Sequence, residues 1–225
     1  MKLLIDSANL KDIAKMIEYY PISGVTTNPT ILSRENKDPW ESLLAIRNLI
    51  TNELSLHAQV VSQQCDQMIK EAVYINEKLG KNTFVKIPVS EEGLKAIKIL
   101  SRQGIQITAT AIYTPMQALL ASMAGAKWLA PYVNRLEMIG ADGISVARNI
   151  KNLLNVYGYE SGVLAASFKN VQQILDVSLA GVDAVTASPD VIEALLKHPL
   201  TDKAICDFTA DFEKISGKGT TLLPS

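Results

Sequence analysis

The sequence predicts an α/β fold, a (β/α)8 TIM barrel with an additional C-terminal helix. Two observations carry this prediction: short apolar segments recur at fairly even spacing, and longer segments with helical periodicity lie between them. The chain has 225 residues, 48 % of them hydrophobic, which is enough to enclose one large core. We therefore expect a single domain over residues 1–225.

Eight apolar segments are the predicted strands. In chain order they are LLID (3–6), GVTTN (24–28), LHAQVV (56–61), FVKIPV (84–89), IQITATA (105–111), WLAPYV (128–133), VLAAS (163–167) and DAVTAS (183–188). A doubly wound open sheet uses the same units and is the alternative fold. No G-x-G-x-x-G turn follows the first segment, which weakens the dinucleotide-binding form of that alternative.

The segments between the strands have the spacing of amphipathic helices. In residues 91–104, Leu94 and Ile97 mark one apolar face, and residues 169–181 and 188–198 have similar patterns. Strand and helix therefore alternate along the chain, as a barrel of β/α units requires.

A further helix is predicted over about residues 202–217. Ile205, Phe208, Phe212 and Ile215 recur there at helical spacing. This apolar stripe must cover something, either the flank of the barrel itself or a neighbouring subunit.

Charge and composition argue against several classes of partner. Lys plus Arg number 22 against 23 Asp plus Glu, so no basic excess is available for nucleic-acid phosphates. Cys65 and Cys206 stand far apart without the paired spacing of a zinc site, which suits a reducing compartment. The apolar run before Asp6 is too short for a signal peptide, and no later run approaches a membrane span. We expect a cytoplasmic protein that binds neither nucleic acid nor membrane.

Polar side chains close most of the predicted strands. In a barrel the C-terminal strand ends carry the chemistry, so these residues are candidates for one common site. They are Asp6, the run Thr26, Thr27 and Asn28, then Gln59, Lys86, Thr110, Tyr132 with Arg135 just beyond, and Ser167. An apolar barrel interior would not need them, whereas a small, polyhydroxylated, anionic ligand would use nearly all of them.

Taken singly, several of these residues have ordinary structural explanations. Asp6 could cap the first helix, Asn28 before Pro29 could make a turn, and Thr110 could be an ordinary strand threonine. Their collection at one end of one barrel favours a functional interpretation.

Lys86 is the candidate nucleophile. Strand alternation places Phe84, Lys86 and Pro88 on one face, so an inward-pointing Lys86 would stand on an apolar floor. Desolvation there would lower the pKa of the amine and leave it free to attack a carbonyl and form a Schiff base. A buried ion pair between Lys86 and Asp6 is the competing interpretation.

Tyr132 and Arg135 are candidates for proton transfer and for anion binding. Tyr132 could act as general acid and base, directly or through a water held by Gln59 and Thr110. Arg135 suits a substrate phosphate, because its planar guanidinium bonds two oxygens at once.

The two histidines of the chain do not indicate a metal site. His57 shares a strand face with Gln59 and is better explained as a core histidine with satisfied hydrogen bonds than as a catalytic base. With His198 as the only other histidine, a multi-histidine centre is excluded, and we predict no metal.

Five motifs occur in an order that resembles one enzyme family. They are GVTTNPTI (24–31), VKIPVSEEGLKAI (85–97), TATAIY (108–113), APYVNR (130–135) and VLAASFKN (163–170). Together they resemble the small transaldolase-like class I aldolases, most closely the branch that cleaves fructose 6-phosphate, and the resemblance runs nearly end to end. It implies a (β/α)8 barrel with a Schiff-base lysine on the fourth strand, at Lys86, and no cofactor.

The resemblance also implies a role for each candidate residue. At the positions that match the motifs of the family, Asp6 is implied to orient a water and to contact substrate hydroxyls. Asn28 and Thr26 are implied to shape the pocket. Ser167 and Arg135 hold the phosphate end of the substrate. The remaining residues position the water that shuttles protons during C–C cleavage, and these are Gln59, Thr110 and Tyr132.

Two positions distinguish aldolases from transaldolases in the family that the chain resembles. Transaldolases generally carry a glutamate where this chain has Gln59 and a phenylalanine where it has Tyr132. A tyrosine hydroxyl beside the carbanion offers a proton donor, which favours release of dihydroxyacetone. The resemblance therefore implies reversible cleavage of fructose 6-phosphate to dihydroxyacetone and glyceraldehyde 3-phosphate. The alternatives are a transaldolase that transfers a dihydroxyacetone unit and a barrel that binds a sugar phosphate without catalysis.

The sequence departs from the family pattern at two positions and implies an assembly by resemblance. His57 stands where an apolar or aromatic residue is usual, and Thr108 stands where a leucine is usual near the acceptor side of the pocket. Members of the family form homopentamers, often paired into homodecamers, with the last helix packed on a neighbour. The C-terminal apolar stripe fits that role.

Overall fold

The computed structural model describes residues 1–223, and its strands and helices alternate. The eight strands are β1 (Lys2–Asp6), β2 (Ile22–Thr26), β3 (Ser55–Gln59), β4 (Thr83–Pro88), β5 (Ile107–Ile112), β6 (Trp128–Pro131), β7 (Gly162–Ala165) and β8 (Ala184–Ala187). The helices are α1 (Leu10–Tyr19), α2 (Pro29–Arg34), α3 (Pro39–Ile50), α4 (Cys65–Leu79), α5 (Glu91–Arg102), α6 (Pro115–Met123), α7 (Val133–Glu137), α8 (Gly143–Tyr157), α9 (Val171–Leu179), α10 (Pro189–Leu196) and α11 (Pro199–Ser216).

The strands close into a parallel barrel in the order β1 to β8, with β8 paired to β1. This confirms the predicted (β/α)8 barrel with an additional C-terminal helix, and the open-sheet alternative is wrong. Every predicted strand overlaps an observed one, with bounds that differ by a few residues.

Local sequence explains where several helices begin. α2 begins at Pro29 after Asn28, whose side-chain oxygen accepts the Ile31 N–H at 3.0 Å. α5 begins after Ser90, which caps it in the same way and precedes two acidic residues in the first turn. These caps fix where the chain leaves the carboxyl ends of β2 and β4, the rim on which catalytic residues sit in barrels.

Apolar residues fill two layers. The larger layer lies between the barrel and its helices and includes buried Ile5, Val25, Val85 and Leu129. A separate cluster of Leu4, Leu164 and Ala184, with Trp128 packed against it, comes from the alternate positions of the strands and fills the barrel interior. Asp6, Ala166, Thr186 and Ala130 lie two residues further along the same strands, so they line the space above this cluster.

Helix α11 differs from the others because none of its residues is buried. Three apolar residues of its stripe are exposed: Ile205 by 59 %, Phe208 by 71 % and Ile215 by 88 %. The predicted helix therefore exists and begins a few residues earlier than expected, and three of the four residues of its apolar stripe are exposed. Within residues 1–223, no helix combines the length and apolar character needed to cross a bilayer.

Candidate active site

A cavity of about 280 Å³ opens at the carboxyl ends of the strands, as expected for a barrel enzyme. Eight of the nine residues for which the sequence predicted a role in the site line it: Asp6, Thr26, Asn28, Lys86, Thr110, Tyr132, Arg135 and Ser167. The eight residues come from six of the strands or from the loops and helix that follow them, so the closed barrel brings them together.

Lys86 lies in the middle of β4 with only 5 % of its surface exposed. Its Nζ donates one hydrogen bond, to the Thr27 carbonyl at 2.7 Å, although an ammonium has three protons to donate. Burial lowers the pKa of the Lys86 amine, and the charge of Asp6 opposes this effect. In the part of the chain that the structure describes, no ion pair joins Lys86 to Asp6. The surroundings favour a free amine.

Asp6 ends β1 and receives a chain of hydroxyl hydrogen bonds. The Thr26 hydroxyl donates to Asp6 Oδ1 at 2.6 Å and lies 2.7 Å from the Thr186 hydroxyl. Because the single Thr26 proton goes to Asp6, Thr186 is the donor in the second bond. Burial raises the pKa of the Asp6 carboxyl, while the charge of Lys86 lowers it. Asp6 does not cap the first helix, since Asn9 does so.

Thr110 and Tyr132 form a hydrogen-bonded pair, with 2.9 Å between Thr110 Oγ1 and the Tyr132 hydroxyl. Burial raises the pKa of the Tyr132 phenol, so the group keeps its proton at neutral pH and can donate it. The pairing of β5 with β6 is irregular next to Thr110, where Ala111 has a φ of 55°. Such irregularities redirect side chains locally, and the Thr110 side chain lines the cavity.

The mouth of the cavity carries several cations and few acids. The guanidinium of Arg135 lies over the Tyr132 ring at 4.6 Å and donates to the Tyr113 hydroxyl at 3.3 Å. That hydrogen bond raises the pKa of Arg135. Ser167 lies nearby on the cavity wall with a left-handed φ of 65°, a conformation that costs energy in a serine and is concentrated at functional sites.

Other residues that line the cavity were not predicted as site residues from the sequence, and four polar ones among them stand out. Arg34 and Lys169 are exposed at the mouth, Asn134 follows Val133 at the start of α7, and Thr186 lies on β8. Thr186 could have been found, because it is one of the polar residues of the eighth predicted strand segment. Nothing in the local sequence of Arg34 distinguishes it from an ordinary surface arginine.

Gln59 is the predicted site residue that the structure does not place in this cavity. Its Cα is paired with that of Lys86 across β3 and β4, yet its side chain lines two neighbouring cavities on the outer side. Its Oε1 is buried without a protein hydrogen-bond partner in residues 1–223. The sequence predicted that Gln59 lies on the third strand, whereas the direction of its side chain depends on the packing around α2 to α4.

The floor beneath Lys86 is more polar than strand alternation predicted. Phe84 lies below the lysine as expected, but it stacks on His57 at 4.7 Å. His57 bonds the Thr108 hydroxyl through Nδ1 at 2.9 Å and the Ser55 hydroxyl through Nε2 at 3.2 Å. Burial, followed by the charge of Lys86, holds the pKa of His57 well below its usual range. His57 is therefore the satisfied core histidine that the sequence favoured.

No group of three or more His, Cys, Asp or Glu side chains within residues 1–223 could hold a metal ion. The cavity instead offers an amine, hydroxyls, one carboxyl and a guanidinium. These groups suit covalent and acid–base chemistry on a small polar ligand.

A closed (β/α)8 barrel with such a cavity at the carboxyl ends of its strands is the architecture of an enzyme. Residues 3–221 match the family described as transaldolase/fructose-6-phosphate aldolase. A protein of Streptococcus pneumoniae described as a probable fructose-6-phosphate aldolase is 44 % identical over 213 residues, covering 94 % of this chain and 96 % of the relative. The chain belongs to the transaldolase/fructose-6-phosphate aldolase family, as the sequence motifs predicted, and it is an aldolase-type enzyme.

Proposed function

We propose that the protein is a class I aldolase that reversibly cleaves fructose 6-phosphate to dihydroxyacetone and glyceraldehyde 3-phosphate through a Schiff base on Lys86. The observation that carries this proposal is the buried Lys86 amine, with a lowered pKa and one backbone acceptor, in a cavity of hydroxyls with a cationic mouth. The family and the name of the relative support the choice of substrate.

The proposed reaction balances without a cofactor. The Lys86 amine attacks the ketone at C2, and loss of one water gives the protonated imine. A base removes the proton of the C4 hydroxyl, the C3–C4 bond breaks, and its electron pair passes into the imine as glyceraldehyde 3-phosphate leaves. The Tyr132 phenol then protonates the carbon nucleophile and regains a proton, through water, from the base that took the C4 hydroxyl proton. One water hydrolyses the imine to free dihydroxyacetone and Lys86.

Asp6, Thr110 and Asn28 are proposed to act around this lysine. Asp6 holds the water that adds to the imine and contacts substrate hydroxyls, and Thr110 orients the Tyr132 hydroxyl to which it is already bonded. Asn28 caps α2 and also lines the cavity, so it shapes the pocket from the β2 side. Gln59 is proposed to reach the same water only if its amide turns inward from the outer cavity.

The phosphate end is assigned to the cationic mouth. Arg135 offers a planar guanidinium, Ser167 a hydroxyl and a strained backbone, and Lys169 a further positive charge two residues later. A phosphate dianion at this mouth would leave the ketone end of the substrate pointing towards Lys86.

Borohydride trapping tests the proposal. We expect reduction in the presence of dihydroxyacetone to attach one reduced dihydroxyacetone unit to Lys86, located by peptide mass analysis. Lys86→Met should abolish the label, while the matched exposed control Lys98→Met on α5 should keep it. A label at another lysine, or none, would reject the mechanism, and none would favour the non-catalytic sugar-phosphate barrel.

A second assay separates aldolase from transaldolase. With fructose 6-phosphate as the sole substrate, we expect free dihydroxyacetone to appear. Transfer to erythrose 4-phosphate without any release of free dihydroxyacetone would assign the chain to the transaldolase branch instead.

We further propose a cytoplasmic homo-oligomer, either a homopentamer or a homodecamer. The apolar stripe of α11 supports an intersubunit role, because Ile205, Phe208 and Ile215 are exposed in the subunit. Cys65 and Cys206 are both free, which fits a reducing compartment.

A further inference from the structure

We propose that Gln173 is a positioning residue that gives the enzyme its preference for phosphorylated substrates. Gln173 lies in the first turn of α9, is 5 % exposed and does not line the cavity. Its side chain nevertheless joins the two segments that supply the proposed phosphate ligands. The inference rests on the proposed function, since it concerns the phosphate end of that site.

Both the oxygen and the nitrogen of the Gln173 amide form hydrogen bonds, and these fix its orientation. Its Oε1 accepts the Lys169 backbone N–H at 2.7 Å, and a backbone N–H can only donate. The Nε2 group must therefore face the other two partners, Asn134 Oδ1 at 3.1 Å and Glu137 Oε2 at 2.5 Å. One buried side chain thus ties the loop before α9 to helix α7.

The two tied segments carry two of the cations of the mouth, Arg135 and Lys169, and the Ser167 hydroxyl. Arg135 lies on α7 between the two residues that receive the Nε2 bonds. Ser167 and Lys169 lie on the loop, and the Asn134 N–H donates to the Ser167 carbonyl at 2.8 Å. The left-handed conformation of Ser167 needs such surrounding constraints, because a serine does not adopt it at no cost.

This arrangement has a selective consequence. A phosphate binds well only when its charged and hydroxyl partners are held at fixed mutual distances, because misplaced ligands lose both directionality and Coulomb energy. A shift of α7 against the loop would disturb that end of the site, while Lys86 on β4 would keep its own partners. Loss of the Gln173 amide should therefore weaken turnover of phosphorylated substrates and spare others.

Two acceptors that differ only in the phosphate measure this effect in the aldol direction. With dihydroxyacetone as donor, we define the phosphate preference as the ratio of kcat/KM for glyceraldehyde 3-phosphate to that for glyceraldehyde. Gln173→Glu keeps the size and the acceptor for Lys169 but sets a carboxylate against Glu137. We expect it to reduce the phosphate preference about tenfold, through KM, as loss of one hydrogen bond to a charged group would.

A second substitution restores the lost contact. Glu137→Gln alone should leave the preference within about twofold, because an amide oxygen can still accept from Gln173. Combined with Gln173→Glu, it supplies an amide donor to the new carboxylate and should bring the preference back to within about threefold of the parent. Asn134 can rotate its amide to suit either arrangement.

The outcomes separate the inference from the proposed function. An unchanged preference in Gln173→Glu, an equal loss for both acceptors, or no rescue in the double variant would overturn the positioning role. Should the parent enzyme fail to trap dihydroxyacetone on Lys86, the proposed function would fail on its own. Far-ultraviolet circular dichroism and oligomer mass identify any variant that has lost its fold. If Gln173→Glu is such a variant, the phosphate preference of the double variant tests the positioning role.

Discussion

At the scale of single residues, the Tyr132 hydroxyl is the group proposed to decide the fate of the carbon nucleophile. It lies 2.9 Å from Thr110 Oγ1 and keeps its proton because burial raises its pKa. We expect Tyr132→Phe to lower the rate of fructose 6-phosphate cleavage by about a hundredfold or more, the usual contribution of a general acid or base. Borohydride trapping of dihydroxyacetone on Lys86 should survive. Steady-state cleavage and single-turnover trapping measure the two effects.

Tyr157→Phe is the matched control, because Tyr157 is 63 % exposed at the end of α8. Tyr157→Phe should change neither the rate of fructose 6-phosphate cleavage nor the rate of trapping. Equal loss of cleavage and trapping in Tyr132→Phe would show that Tyr132 acts through structure alone.

Asp6 and Lys86 are coupled, and the coupling predicts a pH effect. The charge of Asp6 raises the pKa of Lys86 against the larger effect of burial. Trapping needs the free amine, so its rate should rise with pH and level off below the ordinary lysine pKa of about 10.4. Asp6→Asn removes the negative charge, and the midpoint of the trapping profile should therefore move to lower pH. A midpoint that moves upward or stays fixed would contradict the coupling.

The same substitution should affect stability with a defined sign. Burial raises the pKa of Asp6 above its unfolded value, so the favourable contribution of the carboxyl is complete below about pH 3.9 and is lost as pH rises through the folded pKa. Near neutral pH, Asp6→Asn should therefore raise the free energy of unfolding by roughly 1 kcal/mol, as substitutions at strained functional sites do. The gain should disappear at low pH. Denaturant unfolding at several pH values measures it.

At the scale of elements, Arg47 on α3 joins the ends of two loops at the amino-terminal side of the barrel. Its guanidinium donates to the carbonyls of Thr51, Leu54 and Asn82 and to the Thr83 hydroxyl. Residues at this end of a barrel are expected to stabilise the fold and not to take part in catalysis. The contacts fix where β3 and β4 begin, and β4 carries Lys86.

We expect Arg47→Met to lower the free energy of unfolding by about 2–4 kcal/mol, because it removes the hydrogen bonds of a buried guanidinium to three loop carbonyls and to the buried Thr83 hydroxyl. Remaining native enzyme should keep its kcat. Arg102→Met, on the exposed end of α5, is the matched control and should change stability by less than about 0.5 kcal/mol. Urea unfolding curves and kcat per active site distinguish the two outcomes, and an unchanged stability in Arg47→Met would contradict the role.

At the scale of the whole molecule, α11 is an amphipathic helix, and Ile205, Phe208 and Ile215 of its apolar stripe are exposed. Phe208 is 71 % exposed at the centre of this helix. If the helix packs on a neighbour as proposed, Phe208→Ser should reduce the oligomer to smaller species and lower the melting temperature by several degrees. Sedimentation velocity measures the mass.

Thr209→Ser, one residue later, serves as the control, because the Thr209 hydroxyl bonds only the Ile205 carbonyl of its own helix. A parent protein that sediments as a monomer, or a Phe208→Ser variant with unchanged mass, would rule out the assembly through α11.

The sequence by itself determined the architecture, because the alternation of apolar strand segments with amphipathic segments leaves few ways to bury both. It also determined most of the site. Lys86 and Thr110 lie on strands of a parallel barrel and Tyr132 directly follows one, and the carboxyl ends of such strands meet at one rim. Which polar residues lie on or just after an apolar strand segment is a property of the local pattern, so it could be predicted without coordinates.

Only the tertiary structure decided where particular side chains point. Gln59 lies on the predicted strand and pairs with Lys86, yet its amide lies in an outer cavity formed by packing among α2 to α4. Gln173 occupies an ordinary first-turn position in the sequence, and its partners on α7 are 36 and 39 residues away. Contacts at such separations depend on how helices settle against the barrel, and no local pattern encodes that.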